Sequence, residues 1–277
     1  MALETDPYVA MAAHLPNEVR LGGALITMVE PHRGFEHQYN RWYEDDHFYA
    51  GATVGPWVFA GRRWVATRDL QQLRYPADSP IARPLGAGCY ISTYWQLAGH
   101  HDDAVRWGTT AMSQHLYPQG RGFTERTHVY TAFSTYEFGV VRDAGGPMRP
   151  EHALDHQFPG MVVEVLDPGP DTPRGDVVPW LEQEFAPGAL AGTPIALCLG
   201  FFPDLLPPTP VPGVPMAPNQ ERLITLLWFL DVDPRQCWSH FLDHGRALAD
   251  GGRAELLLAA PFIPTIPGTE TYVDELR

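Results

Sequence analysis

Glu36-His37-Gln38-Tyr39-Asn40-Arg41-Trp42-Tyr43-Glu44-Asp45-Asp46-His47, followed closely by Trp57-Val58-Phe59-Ala60-Gly61-Arg62-Arg63-Trp64-Val65-Ala66-Thr67-Arg68, decides how the chain is organised. The first stretch has no proline and reads as a helix over 35–51. Its spacing puts Asn40, Tyr43 and His47 on one face, with Trp42, Asp46 and Tyr49 on the neighbouring stripe. The second stretch reads as a strand in which Gly61 marks a bulge. Ahead of both, Leu21–Pro31 (LGGALITMVEP) has strand composition and stops at a proline. The opening order is therefore β-α-β.

Outward from there the pattern repeats. A proline-containing loop over 70–85 leads to a strand at 88–97 and a helix at 100–116. In that helix Val105, Gly108, Met112 and Leu116 keep helical spacing. A long strand or hairpin at 123–142 completes β-α-β-β-α-β. After a Gly- and Pro-rich linker (143–157), strands at 160–166, 193–202, 221–232 and 254–263 alternate with helices near 177–185 and 234–250 in the same order. A long insertion separates the second and third strands in both halves, at 70–85 and 203–219. A βαββαβ unit is ferredoxin-like, with both helices on one sheet face and the other face in need of cover. Two units, at 21–142 and 159–270, can cover each other sheet to sheet. The expected fold class is α+β, an intramolecular form of the dimeric α+β barrel with a cavity between the sheets.

The composition narrows the function classes. The chain has 277 residues, 44% hydrophobic and 12% aromatic, which suits a well-packed core and not disorder. A formal charge of −14 and no basic stripe argue against a nucleic-acid partner. Three scattered cysteines, Cys89, Cys198 and Cys237, form no disulfide framework or metal-binding pair, so a cytoplasmic setting is expected. The first twenty or so residues, read as a loose arm, lack the basic and apolar regions of a signal peptide. No apolar run approaches the ~18–20 residues that span a bilayer. GxGxxG, Walker and GxSxG motifs are absent.

The run Tyr39-Asn40-Arg41-Trp42-Tyr43-Glu44-Asp45-Asp46-His47, then Gly55 and Arg62-Arg63-Trp64, resembles the pattern of EthD-like proteins in the dimeric α+β barrel superfamily. There a Phe/Tyr-Asn-x-Trp-Tyr-acidic-x-x-His helix precedes a glycine turn and an arginine-bearing strand. The match covers residues 24 to 67. The second half matches only in topology, since its first helix (PWLEQEFAPGAL) lacks the Asn-x-Trp-Tyr and His elements. The resemblance implies a pocket for an apolar or aromatic small molecule. Relatives in the superfamily include cofactor-free monooxygenases, polyketide cyclases, isomerases and, in other branches, haem proteins; a fold does not choose among these.

His47 is the candidate acid or base, because imidazole titrates near neutrality; the competing role is a helix-end hydrogen bond. Asp46 or Asp45 is a candidate to orient it, although neighbouring side chains on a helix diverge. Tyr43 and Asn40 are candidate donors to a substrate oxygen, against ordinary packing. Tyr39 and Trp42 read as core first and substrate contacts second, and Trp64 follows on the strand. Arg62 and Arg63 alternate faces, so one at most enters the cavity to anchor an acidic group; an ion pair with Glu44 or Asp45 is the favoured alternative. Tyr94, His115, His128 and Tyr130 are further cavity candidates.

The His100-His101-Asp102-Asp103 run reads as a helix cap rather than a metal site. His240 and His244 have i, i+4 spacing, but both fall on the solvated side with no third ligand, so no metal is expected. His152 and His156 lie in the linker, which is either a lid over the barrel or a disordered connection.

The expected function is a cofactor-independent enzyme on an aromatic or polyketide-like molecule, by acid–base chemistry (cyclase, isomerase, lyase) or oxygenation. The alternatives are a haem enzyme ligated by His47, His115 or His128, and a non-catalytic binding protein. Association into a homodimer stays open.

Overall fold

In the computed structural model, the structure describes residues 18–205 and 219–277, together with residues 10, 12, 13, 15, 214 and 217. Most of the N-terminal arm and of the second proline-rich insertion lies outside the described residues. The first unit comprises β1 (Leu21–Pro31), α1 (Glu36–Trp42), β2 (Val58–Val65), a short α2 (Arg68–Gln71), β3 (Tyr90–Leu97), α3 (His101–Thr110) and β4 (Arg126–Val141). Two π-helical turns, Tyr43–His47 and Tyr49–Thr53, prolong α1, and a third, Ala111–Leu116, prolongs α3. The second unit comprises β5 (Gly160–Asp167), α4 (Arg174–Trp180), a π turn at Leu181–Phe185, α5 (Ala186–Leu190), β6 (Ile195–Pro203), β7 (Ile224–Leu230), α6 (Trp238–Gly251) and β8 (Glu255–Pro264).

The eight strands close into one antiparallel barrel in the order β1-β3-β2-β8-β5-β7-β6-β4. Each unit keeps the ferredoxin-like order within itself, and the second strand of one meets the fourth of the other at both seams. The seams differ in extent. β4 pairs with β6 from Ser134↔Pro203 to Val141↔Leu197, whereas β2 and β8 share only Trp64↔Pro264 and Val65↔Ile263. The segment at 123–142 is a single strand and not a hairpin. The irregularity in β2 falls between Val58 and Ala60 instead of at Gly61.

β3, β5 and β7 are buried at every position. One strand face meets the barrel interior and the other meets helices, so the apolar alternation of a half-exposed strand is lost. The interior is filled. Trp64 packs edge-on to Phe229 at 6.0 Å, Phe158 lies 5.4 Å from Phe229, and Trp95 lies 5.5 Å from Phe201. Each such side chain contributes about 1.5–3 kcal/mol by leaving water. The expected cavity between the sheets is therefore occupied by side chains, and Trp64, a proposed substrate contact, belongs to that packing with Nε1 donating to Thr93 Oγ1. The linker is ordered and plugs one end. Ala153 and Leu154 are core residues, and Arg62 donates to the carbonyls of Leu154 (3.1 Å) and His156 (2.5 Å).

Behind the second sheet the helix layer is solid, packed around Val177, Leu181, Phe185, Trp228 and Phe241. His244 belongs to this layer, contrary to its expected exposure. Glu164, fully buried on β5, accepts from Trp228 Nε1 at 2.8 Å and faces His244 Nδ1 at 3.3 Å. A partner on a strand draws in a histidine that helical spacing alone assigns to solvent. Among the described residues, no helix is long and apolar enough to cross a membrane.

At the long seam Gly200 sits opposite Phe138, and an added Cβ would lie 2.1 Å from the ring. Gly200→Ala is expected to destabilise the protein by roughly 1–3 kcal/mol through overpacking, read as a drop of several degrees in Tm. An unchanged Tm would mean that the ring and strand yield freely.

Candidate functional site

The binding space lies on the outer face of the first half, between its sheet and its helices. Tyr43, His47, Gly51 and Ala52 form one wall. Ala104, Trp107, Gly108 and Met112 form another, and the floor comprises Leu25, Thr27, Tyr94, Gln96, His128, Thr131 and Phe133. Arg126 and Tyr117 close one end, and Val214 from the second half also reaches it. The cavity measures about 90 Å³ and is partly open to solvent.

Two local devices shape it. Both helices widen into π turns where they face the cavity, an i→i+5 pattern that recurs at functional sites. Small residues on these helices leave room above the sheet. At Gly51 an added Cβ would come within 2.9 Å of His47 Cε1 and 3.3 Å of Met112 Cε, so the histidine's position needs glycine there.

His47 stacks on Trp42 (4.2 Å, 20°) and meets Tyr43 edge-on (5.1 Å, 79°). Its Nδ1 is buried with no hydrogen-bond partner. Burial, reinforced by the positive charge of Arg126, holds its pKa well below the ordinary value, so the ring is neutral at pH 7. Tyr43 and Tyr94 hydroxyls share a 2.8 Å hydrogen bond. Burial, then the neighbouring Tyr43, raises the Tyr94 pKa well above the usual phenol range, so it stays protonated. Two hydroxyls with one mutual bond leave one O–H to donate to a ligand oxygen.

His128 Nδ1 lies 2.8 Å from Thr131 Oγ1, which is itself 2.8 Å from Thr27 Oγ1, while His128 Nε2 is buried without a partner. Burial, then Arg126, depresses its pKa to about 3. Because a threonine hydroxyl donates or accepts, the tautomer of His128 can follow the ligand. Arg126 lies over the Trp42 ring at 4.5 Å and donates to Tyr117 Oη at 2.6 Å.

The other proposed residues stand elsewhere. Asn40 is turned away from the cavity, donating to the Thr269 carbonyl at 3.1 Å and accepting from Arg63 Nη1 at 3.1 Å. Asp46 is paired with Arg121 at the surface and does not orient His47. Trp42 supports His47 from behind and donates to the Arg121 carbonyl. Tyr39 is buried among Trp42, Tyr43, Tyr90 and Phe123.

Neither arginine of the expected pair lines this cavity. Arg62 ties down the linker. Arg63 lies on the helix side between the rings of Tyr43 (4.4 Å) and Tyr90 (4.9 Å) and forms the ion pair with Glu44 at 3.0 Å. Tyr130 faces the barrel and bonds Thr225, and His115 is exposed. Arg126 and Tyr117 were not foreseen. Their placement depends on Trp42, which no local spacing reveals. His101, read as part of a cap, bridges Gln96 Oε1 and Asp204 Oδ2, both at 2.5 Å. Among the described residues, no group of three His, Cys, Asp or Glu side chains is placed to hold a metal ion.

The C-terminal segment after β8 braces α1 from outside. Gly268 N donates to Glu44 Oε2 (2.9 Å), His37 contacts Glu270 (3.1 Å) and Asp274 (3.0 Å), and Arg277 pairs with Glu30 and Glu36.

No protein-family model and no curated protein sequence matches the chain. Among solved structures it is similar to an anthrone oxidase-like protein, with 9% identity, a TM-score of 0.52, and 91% of this chain and 98% of that chain covered. It is also similar to a chlorite dismutase-like protein, with 10% identity, a TM-score of 0.50, and 93% and 99% covered. At these identities the likeness shows the fold alone, an α+β barrel built from two ferredoxin-like halves.

Histidines that are neutral when folded and protonated when unfolded make stability fall with acid, since the unfolded chain then binds more protons. The loss begins near ~6.5, the free-histidine value, and for His128 continues down to about 3. Its slope is at most ~1.4 kcal/mol per pH unit for each histidine. Urea denaturation across that range should show a flatter acid limb for His128→Gln. A slope equal to the wild type would contradict the buried neutral state.

Proposed function

We propose that the chain is a cofactor-independent enzyme that removes a proton from a small aromatic substrate held beneath the helices of the first half. The observation that carries this reading is His47, a neutral imidazole with a buried, unpartnered Nδ1 at the wall of a largely apolar cavity. A neutral imidazole with its nitrogen free is ready to accept a proton without first losing one, and negative charge developing on the substrate beside it raises its basicity from the low value that burial imposes. Tyr94, kept protonated and paired with Tyr43, is a fixed donor for the enolate or phenolate oxygen that forms. The enclosed part takes one ring, and larger fused systems extend toward the mouth.

The resulting anion cyclises or isomerises in place, or gives electrons to dioxygen. In an oxidation of the anthrone type, a ring CH₂ and O₂ become C=O and water, with no further oxidant. The anthrone oxidase-like neighbour makes anthrone a reasonable first probe.

Haem fits the residues poorly. His47 Nδ1 and His128 Nε2 are free nitrogens, but a cavity of about 90 Å³ takes one ring and not a macrocycle of four, so haem would have to lie across the open mouth. Reconstitution with haemin is expected to give no Soret shift relative to free haemin, and a shift abolished in His128→Ala would reverse this.

Oxygen uptake with anthrone, or product formation with a hydroxyaromatic panel, should fall roughly 10²–10⁴-fold in His47→Ala, with an unchanged Tm. Equal rates in the variant would exclude His47 as the base. Tight binding with no turnover in the wild type would favour a sequestering protein.

A further inference from the structure

We propose that the molecule bound in this cavity is an aromatic anion, a carboxylate or a phenolate, and that Arg126 selects it. The inference rests on the reading of the same cavity as a small-molecule site and adds the charge of the ligand.

The first support is a contrast in charge. The chain carries 33 acidic against 19 basic residues, a formal charge of −14. Yet among the described residues no aspartate or glutamate lines the cavity, and Arg126 is its one permanently charged group. The second support is the state of that arginine. Arg121, five residues earlier, is taken by Asp46, and Arg63 by Glu44. Arg126 has no carboxylate partner among the described residues. It has one hydrogen bond, to Tyr117, and the face of Trp42.

A guanidinium offers five N–H donors in a planar fork that matches a carboxylate or phenolate oxygen. Stacking on an indole uses none of them. His47 and His128 supply no countercharge, and a positive neighbour disfavours their protonation. An anion at Arg126 is therefore the one charge that the site lacks. In an apolar, partly enclosed setting its attraction is weakly screened. The ring of such a ligand would lie against Tyr43, Tyr94 and Phe133, which bound the cavity.

Calorimetric titration with benzoate, 4-nitrophenolate and benzamide tests this, at a pH where both acids are ionised. Benzoate and benzamide share a shape and differ in charge. At least one anion is expected to bind ten-fold or more tightly than benzamide, and which one does so names the carboxylate or the phenolate. Arg126→Gln should bind the anion no more tightly than benzamide, and Arg126→Lys should keep part of the preference. Equal binding of all three probes, no binding of either anion, or a preference that survives in Arg126→Gln would each overturn the proposal. Because Arg126→Lys keeps the charge and most of the bulk, a folding defect in Arg126→Gln would leave the comparison intact. The base reading fails separately. It fails if turnover in His47→Ala equals the wild type, a result that leaves the anion preference of the wild-type protein and its loss in Arg126→Gln untouched.

Discussion

The large side chains packed inside the barrel set where this protein can bind anything. Trp64, Trp95, Phe201, Phe229 and Phe262 are fully buried, and such side chains fill the space between the sheets. Space then has to come from the outer faces, where helices lie on the sheets. On the first face the helices present Gly51, Ala52, Ala104 and Gly108, whose small side chains leave space above the strands unfilled. On the second face, Val177, Leu181, Phe185 and Phe241 fill the same layer. One architecture thus yields a partly enclosed cavity on one side and, on the other, a packed helix layer indented only by more open surface grooves, by the size of a few helical residues.

Within that pocket the polar atoms are costly as they stand. A buried nitrogen without a partner costs about 1–3 kcal/mol, and His47 Nδ1 and His128 Nε2 are both in that state. Other buried atoms share that state, Trp95 Nε1 and Arg63 Nη2 among them, but the two histidine nitrogens belong to side chains that line a cavity a ligand can enter. The same cavity holds an unpaired arginine and a hydroxyl pair with a proton to spare. Each of these features asks for a ligand atom of a particular kind: a transferable proton, an anionic group and an acceptor oxygen.

Much of the fold was legible in the sequence because strand and helix boundaries coincide with prolines, glycines and changes in period. Leu21–Pro31 is the clearest case, with identical limits in the structure. The face that carries the site was harder to see. β3 is buried on both sides, so Tyr94 and Trp95 look alike in sequence although one meets the cavity and the other the barrel. Tyr43 and His47 both line the cavity, on the shared helix face that their spacing indicates. Asn40 was misplaced because its partner, Thr269, lies 229 residues away. His244 was misplaced because Glu164 hides within an apolar strand. Arg126 was missed because a strand-opening arginine has no distinctive spacing, and its role follows from Trp42 and Tyr117 folding beside it.

The C-terminal segment that grips α1 has a consequence for how this protein can vary. In a barrel made from two identical chains, every substitution is made twice, and a change that opens one pocket opens both. Here the halves share a chain but not a sequence, so the helix layer of one can be optimised for rigidity while the other is hollowed. The contacts of Gly268, Thr269, Glu270 and Asp274 with α1 give the rigid half a direct hold on the helix that carries His47. Substitutions in a segment more than two hundred residues from that histidine thereby become a means of adjusting it, available to selection and to design without touching the cavity wall.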